Sequence, residues 1–296
     1  QEYLEEMNSM ISNKDIYNTL DTLDKTFKLN DFASSYNLYS VLQAVIDSQF
    51  LDPFYTKNFG AFMINDLNYS PERKDGLIYL KYSFYAVKAM ELIANFLSLG
   101  SITDLYFSDL GFDRNALATY IVRNIIETPT ELYFEVDYSD SVELALENLY
   151  YSIYILDALS QFSLDVIKID NFVNNNLNYS NIKNLYYCYK ISEILELDIV
   201  FDIDQTHSLI QSIYSEFYNE FYLTSERAIL EQEAFLWVCE MAKNDKVRIN
   251  ARFSESTTLG SSNTFSVDIV NLIFSDFGQY TTVKLESVQL GTIVFD

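Results

Sequence analysis

The stretch ENLYYSIYILDALSQF at residues 147–162 is partly repeated as KNLYYCYKISEILELD at residues 183–198, and the shared tetrapeptide NLYY lies 36 residues further along in the second copy. In the first copy, Leu149, Ile153 and Leu156 follow one another at steps of four and three residues. These steps place the side chains on one face of an α-helix, so the stretch predicts an amphipathic helix. The return of such a helix along the chain indicates a helical repeat.

Two further stretches fit the frame of this aromatic helix. The run KYSFYAVKAM at 81–90 matches the first copy, and NLYSVLQAV at 37–45 matches it more loosely. The anchor tyrosines, separated by 43, 69 and 36 residues, are Tyr39, Tyr82, Tyr151 and Tyr187. The longest of these gaps holds one more predicted helix, around NALATYIVRNI at 115–125. A period near 40 residues with two helices per unit is typical of an α-solenoid or αα-barrel.

The predicted fold is therefore mainly α, an αα-superhelix or toroid of helical hairpins over residues 1–243. The scarcity of glycine and proline in this part also favours helix. The recurring tyrosines have two interpretations: they pack between helices, which is the commoner role, or they line a toroid cavity that holds a lipid or a sugar. The predicted scaffold positions are Tyr82, Tyr85, Tyr151, Tyr154 and Tyr187.

The tetrapeptide LNYS occurs at 67–70 and again at 177–180. We interpret it as a corner at which one helix ends and an aromatic helix follows, because Asn and Ser side chains bond the backbone groups left open at helix ends. Asn68 and Asn178 also begin N-x-S triplets, so both are candidate N-glycosylation sites if the chain is exported.

The hydrophobic pattern of the sequence changes at about Lys246. The run KVRINARFSES alternates apolar and polar residues, and the later runs NTFSVDIVNLIF and YTTVKLESVQLGTIVFD are rich in β-branched residues. This pattern predicts β-strands over residues 246–296, as the start of an Ig-like sandwich.

Composition limits the classes of partner. The chain has 296 residues, and 43 acidic against 19 basic residues give it a net charge of −24. Nucleic acid binding is disfavoured, because neutralising phosphates requires a basic surface. A charge of this kind is typical of a well-solvated surface, and binding of cations or basic partners is the alternative. No stretch approaches the roughly 18 apolar residues of a membrane span, so none is expected within this chain.

The aromatic pair followed by Leu or Ile at every third or fourth residue resembles the repeats of the αα-toroid superfamily. That superfamily includes protein prenyltransferase β-subunits, squalene and terpene cyclases, and thioester domains of complement-like proteins. The segment FVNNNLNYSNIKNLYYCYKISEIL at 172–195 most resembles the lumenal helical region of the ribophorin II family, non-catalytic subunits of oligosaccharyltransferase. The resemblance implies helical repeats followed by a β-sandwich, an extracytoplasmic location, and protein partners that include subunits of a membrane complex.

The chemistry of the toroid enzymes is not matched by this sequence. Their zinc site needs Asp, Cys and His, whereas His207 is the only histidine and neither Cys188 nor Cys239 has a metal-ligand spacing with it. For His207 we favour a solvated or capping role over catalysis. Both cysteines lie in apolar runs and are expected to be buried thiols, with a disulfide between neighbouring helices as the alternative. No metal ligand or cofactor is expected.

The stretch that is most similar to a cyclase acid motif is FDIDQ at 201–205, but Gln205 stands where that motif has its final acid. Asp202 and Asp204 are therefore a weak candidate acidic site, and the alternative is a helix start at which Asp offsets the macrodipole. With no catalytic residue assigned, the sequence favours a non-catalytic extracytoplasmic scaffold or interaction domain. The alternative is a divergent αα-toroid enzyme that acts on an isoprenoid or a glycan.

Overall fold

The computed structural model describes residues 12–52, 58–63, 76–105, 110–134, 141–215, 220–231, 233–244, 248–252, 266–270, 283–287 and 291–295. The chain divides into two compact units. The first comprises Gln1–Asn176 with Lys190–Asp198, and the second comprises Leu177–Tyr189 with Ile199–Asp296. The predicted domain boundary between residues 243 and 246 stays a prediction.

Helices dominate the described residues, which confirms the prediction of a mainly α fold. The first unit contains α1 (Asn13–Lys25), α2 (Leu29–Ser35), α3 (Leu38–Asp47), α4 (Gly76–Phe96), α5 (Ile102–Leu105), α6 (Arg114–Arg123), α7 (Val142–Ala158) and α8 (Val166–Asn176). The division between the units falls within α9 (Ile182–Leu195), and the second unit contains α10 (Ile203–Ile213) and α11 (Ala234–Asn244). A closed superhelix or toroid stays a prediction.

The core of the first unit is built around α4 and α7. Helix α4 packs against α1, α3 and α7, and α7 also packs against α6. Both helices are apolar on most of their circumference, with residues such as Val87 and Ile93 in α4 and Leu149 and Ile153 in α7 fully buried. A helix that is apolar nearly all round is stable only when neighbours cover it, which explains the central position of this pair.

Short antiparallel hairpins interrupt the helical region. Strands β1 (Ile125–Glu127) and β2 (Leu132–Phe134) pair in the first unit, and β3 (Tyr214–Ser215) and β4 (Glu220–Phe221) pair in the second. These four short strands are not predicted by the sequence analysis. Helix α6 ends at Arg123, and the chain then extends so that Leu132 and Phe134 of β2 point into the core.

The tail contains strands where the sequence predicts them. Strand β5 (Arg248–Arg252) pairs with β6 (Ser266–Val270), and β7 (Val283–Ser287) pairs with β8 (Gly291–Phe295), both antiparallel. The tail is therefore β-structured over these four strands. An Ig-like sandwich stays a prediction.

One buried side chain joins three segments of the first unit. The Gln49 amide donates to the carbonyl oxygens of Gly60 at 3.1 Å and Asp113 at 2.8 Å, and accepts from the Asp113 N–H at 2.9 Å. Gly60 has φ +97°, and a Cβ at this position would overlap the carbonyl oxygen of Ala116. Glycine is therefore required where this loop crosses the start of α6.

Four helices end in the same way without glycine. Residues with left-handed backbone follow α1, α4, α7 and α9; they are Phe27, Ser98, Ser160 and Glu196. In each case the next N–H bonds a carbonyl five residues earlier, as Gln161 does to Leu156 at 2.9 Å. This is the Schellman arrangement, which normally places glycine at the left-handed position.

Candidate functional site

The repeated aromatic helices carry the same burial at matching positions. Tyr151 in α7 and Tyr187 in α9 are each 2% exposed, and Asn148 and Asn184 are equally inaccessible. Tyr39, the anchor tyrosine of the 37–45 stretch, is 48% exposed, so it does not occupy a core position like those of Tyr151 and Tyr187. Tyr151 and Tyr187 therefore lie where scaffold residues lie, between packed elements.

The two copies bury their tyrosines through different partners. In α7, the Tyr151 hydroxyl donates to the buried Glu147 carboxylate at 2.7 Å. In α9, the Tyr186 hydroxyl donates to Glu240 of α11 at 2.6 Å, and its ring stacks on Trp237 with centroids 5.7 Å apart. A buried phenol needs a hydrogen-bond partner, and the carboxylate comes from the same helix in the first copy and from α11 in the second.

Two of the remaining scaffold tyrosines, Tyr85 and Tyr154, lie at the junction of α1, α4 and α7. Tyr82 and Tyr85 are both half-buried. The Tyr85 ring lies 5.7 Å from Tyr17 of α1 and 5.2 Å from Phe84. The Phe84 ring in turn stacks on Tyr151 at 4.3 Å and meets Tyr154 edge-on at 5.1 Å. Aromatic packing thus links the helix of the 81–90 copy to the helix of the 147–162 copy.

An ionisable group that sequence reasoning missed lies among these rings. We define the Glu91 cluster as Glu91, Lys88, Tyr154, Tyr17 and Phe84. The Tyr154 hydroxyl donates to the Glu91 carboxylate at 2.5 Å. The Lys88 ammonium lies 5.2 Å from the Tyr17 ring, 5.5 Å from Phe84 and 5.1 Å from Tyr154. The available sequence signal is a lysine and a glutamate three residues apart inside the apolar run of α4.

Burial sets the protonation behaviour of this cluster. Desolvation raises the pKa of Glu91, and Asp157 adds to the rise, while the Tyr154 hydrogen bond and the charge of Lys88 oppose it. Burial and the neighbouring Glu91 also raise the pKa of Tyr154 far above its ordinary value, so the phenol remains a hydrogen-bond donor. A carboxyl with a raised pKa is a feature of catalytic acids and also of structural networks.

The predicted acidic site lies at an open depression of about 500 Å³ in the second unit. It is lined by Tyr179, Ser180, Asp202, Asp204, Gln205, Ser208, Leu209, Ser212 and Ser225. Asp202 is the N-cap of α10, where its carboxylate accepts from the Gln205 N–H at 3.0 Å and from the Gln205 side chain at 2.7 Å. Asp204 lies in the first turn of α10, and both carboxylates are exposed. This geometry matches the helix-start alternative. His207 is half-buried on the same helix.

The second LNYS copy forms a corner between α8 and α9. The exposed Asn178 side chain accepts from the Ser180 N–H at 2.8 Å, and the Asn178 N–H donates to Asn184 at 2.8 Å. The Tyr179 hydroxyl accepts from the Asp202 N–H at 2.8 Å, which fixes the corner to the start of α10. Asn68 and the first LNYS copy lie outside the described residues.

Neither cysteine forms a disulfide, which removes that alternative. Cys188 is buried, as expected, and burial raises the pKa of its thiol to about 12, whereas Cys239 is only half-buried. Within the part of the chain that the structure describes, no group of three His, Cys, Asp or Glu side chains has the arrangement of a metal site. The helices within the described ranges include none with the length and apolar character required to cross a membrane.

No protein-family model and no curated protein matches this chain. The resemblance to αα-toroids and to ribophorin II therefore rests on the residue pattern of the repeats alone.

Proposed function

We propose that this chain is a non-catalytic interaction domain of an extracytoplasmic protein complex, with its helical hairpins arranged as an αα-superhelix. The proposal rests on the structural roles of the repeated tyrosines and of the candidate acidic residue. Tyr151 and Tyr187 fill the core, and Asp202 caps a helix instead of facing an enclosed cavity. Because these residues stabilise the fold, the outer surface of the helices is what remains to bind partners, as in other repeat proteins.

The extracytoplasmic location is part of the proposal and is supported by the corner at Asn178. Its side chain is exposed in a tight turn, where a glycosylating enzyme has access to the amide. The pattern resemblance extends the proposal to an accessory subunit of oligosaccharyltransferase, with other membrane-complex subunits as partners.

The test is isolation of the protein from its native membrane and soluble fractions, followed by mapping of the peptide that contains Asn178. We expect glycosidase treatment to convert Asn178 to Asp in that peptide, and we expect co-purification with subunits of an extracytoplasmic complex. An unmodified Asn178 together with purely cytosolic partners would contradict the proposed location.

The alternative, an enzyme acting on an isoprenoid or a glycan, is favoured by one observation, the raised pKa of Glu91. It is tested by incubating the isolated chain with polyprenyl diphosphates and lipid-linked sugars. Turnover that is lost in Glu91→Gln or Asp204→Asn would overturn the non-catalytic assignment. We expect no turnover by the wild-type chain.

A further inference from the structure

The outer side of α11 carries large apolar side chains where a surface helix ordinarily carries polar ones. The inner side of this helix is buried through Trp237, Val238 and Met241, at the three- and four-residue steps of a helix that packs on a core. On the opposite side, Phe235 is 56% exposed and Leu236 is 59% exposed. Single exposed apolar residues are normal, so the surroundings of this pair decide its significance.

Two more exposed apolar residues precede this pair along the chain. Ile229 is 55% exposed and Leu230 is 46% exposed. Both are held against the β4 region, because the Leu223 N–H donates to the Ile229 carbonyl at 2.8 Å and Leu230 forms a β-bridge with Tyr222. The Phe235 ring lies 5.9 Å from the Phe221 ring of the same strand. We define the α11 face as Ile229, Leu230, Phe235 and Leu236.

Glutamates flank the α11 face along the chain. Residues 220–244 contain five glutamates against two basic residues, Arg227 and Lys243. The Arg227 guanidinium donates to the carbonyl oxygens of Ser212 at 3.1 Å and Tyr214 at 2.7 Å, so its donors are directed at the backbone. An apolar centre with an acidic rim favours a partner that is apolar on one side and cationic around it.

We propose that the α11 face docks a cationic amphipathic helix of a partner protein, whose apolar residues cover the four exposed side chains while Lys or Arg residues pair with the glutamate rim. This inference rests on the proposed role as an interaction domain, and it specifies the chemistry of the partner. A second copy of the chain fits the face poorly, because it would bring the same acidic rim and another net charge of −24.

The chain provides its own reporter for a docking experiment. Cys239 on α11 is only half-buried, whereas Cys188 is buried with its thiol pKa raised to about 12, so an environment-sensitive thiol dye should label Cys239 in preference to Cys188. The probe is a synthetic helical peptide of roughly 18 residues, or five turns, with Leu on one side and Lys on the other. Two control peptides replace either every Lys by Glu or every Leu by Ser.

We expect saturable binding of the Leu/Lys peptide, no binding of the Leu/Glu peptide, and at least about tenfold weaker binding of the Lys/Ser peptide. The double variant Phe235→Gln with Leu236→Gln keeps the net charge and should weaken binding of the Leu/Lys peptide by at least about tenfold. The matched control, Ile167→Gln with Val200→Gln, changes side chains that are 74% and 87% exposed elsewhere and should leave the affinity unchanged.

Three results would overturn the proposal. Equal affinities of the two double variants would show that the peptide does not dock on the α11 face, because both variants keep the net charge. A dimer in sedimentation that the Phe235/Leu236 variant dissociates would assign the face to a second copy. A lowered unfolding midpoint in that variant would make the face part of the chain's own core. All three readouts are independent of the Asn178 glycan and of turnover, so either proposal can fail while the other stands.

Discussion

At the scale of single residues, position in the repeat does not by itself determine burial. Tyr39, Tyr151 and Tyr187 occupy the same frame position, yet only the last two are buried. Tyr39 is the second residue of its helix, whereas Tyr151 lies deep within α7. The sequence predicts which side of a helix is apolar, but the burial of each residue depends on which element covers it.

This difference makes a testable contrast. Tyr151→Ala and Tyr187→Ala should each lower the free energy of unfolding by about 3–5 kcal/mol, because they leave cavities in packed cores. Tyr39→Ala, the matched control from the looser copy, should cost within about 0.5 kcal/mol, as is usual for surface substitutions. Chemical denaturation measures all three. Equal losses in the three variants would show that the frame position, and not the burial, determines the effect.

The Glu91 cluster predicts a definite dependence of stability on pH. The folded pKa of Glu91 is raised above its ordinary value of 4.5, so the folded state binds this proton more tightly than the unfolded state does. The contribution of Glu91 to stability is therefore greatest at low pH, and it is lost as the pH rises from about 4.5 through the folded pKa.

Measurement of unfolding free energies of wild type and Glu91→Gln from acid to neutral pH isolates this contribution, because the other carboxyls cancel in the difference. We expect wild type to lose stability relative to the variant as the pH rises through that window. A difference that grows in favour of wild type with rising pH would mean that ionised Glu91 is stabilised by Lys88 and Tyr154.

At the scale of the element, the sequence predicts helix positions better than helix ends. Helix ends are usually recognised by glycine, but Ser98 and Ser160 occupy the left-handed positions after α4 and α7. The sequence also does not predict the hairpin β1–β2, because strands of three residues are too short to show an alternation of apolar and polar residues.

Glycine at these helix ends should stabilise the fold. Ser98→Gly and Ser160→Gly relieve a left-handed conformation that costs a non-glycine residue roughly 1–2 kcal/mol, so after the added entropy of the unfolded chain we expect a gain of about 0.5–1 kcal/mol each. The control Ser208→Gly, inside α10, should instead cost about 0.5 kcal/mol. Thermal and chemical unfolding measure these changes, and a loss at residues 98 and 160 would contradict the assigned geometry.

The loop around Gly60 supports a stronger prediction. Gly60→Ala combines a left-handed backbone with a steric overlap on α6, so we expect it to lower the free energy of unfolding by about 3 kcal/mol or more. Gly111→Ala is the matched control: its φ is +84°, but no atom of the described residues lies within 4 Å of an added Cβ, so we expect only the conformational cost of about 1 kcal/mol. Similar losses in both variants would show that the loop moves to accommodate a methyl group.

At the scale of the whole molecule, the sequence predicts the helical class and the strands of the tail. Hydrophobic periodicity is a property of single helices and strands, so it predicts both of these features. The pairing of Tyr154 with Glu91 depends on which elements meet in space, and it has no local sequence signal beyond the presence of a polar residue. The capping by Asp202 is local, and it matches the helix start that FDIDQ offers as one interpretation.

The net charge makes a prediction about the chain as a whole. With a net charge of −24, self-repulsion opposes folding, and dissolved salt screens it. We expect the unfolding midpoint to rise as NaCl increases from about 0.01 M to about 0.15 M, where the Debye length falls from roughly 30 Å to roughly 8 Å, and then to level off. Replacement of NaCl by an uncharged osmolyte at equal osmolarity is the control. A midpoint that is independent of salt in this range would contradict self-repulsion.

The contacts of Gln49 also have a consequence for the sequences of homologous proteins. An amide at residue 49 supplies both donors and acceptor for the loop and for the start of α6, and the loop in turn admits no side chain at residue 60. Exchange of either residue alone breaks the arrangement, so the two should be inherited together. In homologous chains we therefore expect glutamine at the position of residue 49 wherever glycine occupies the position eleven residues later, and an alignment in which the two vary independently would contradict this.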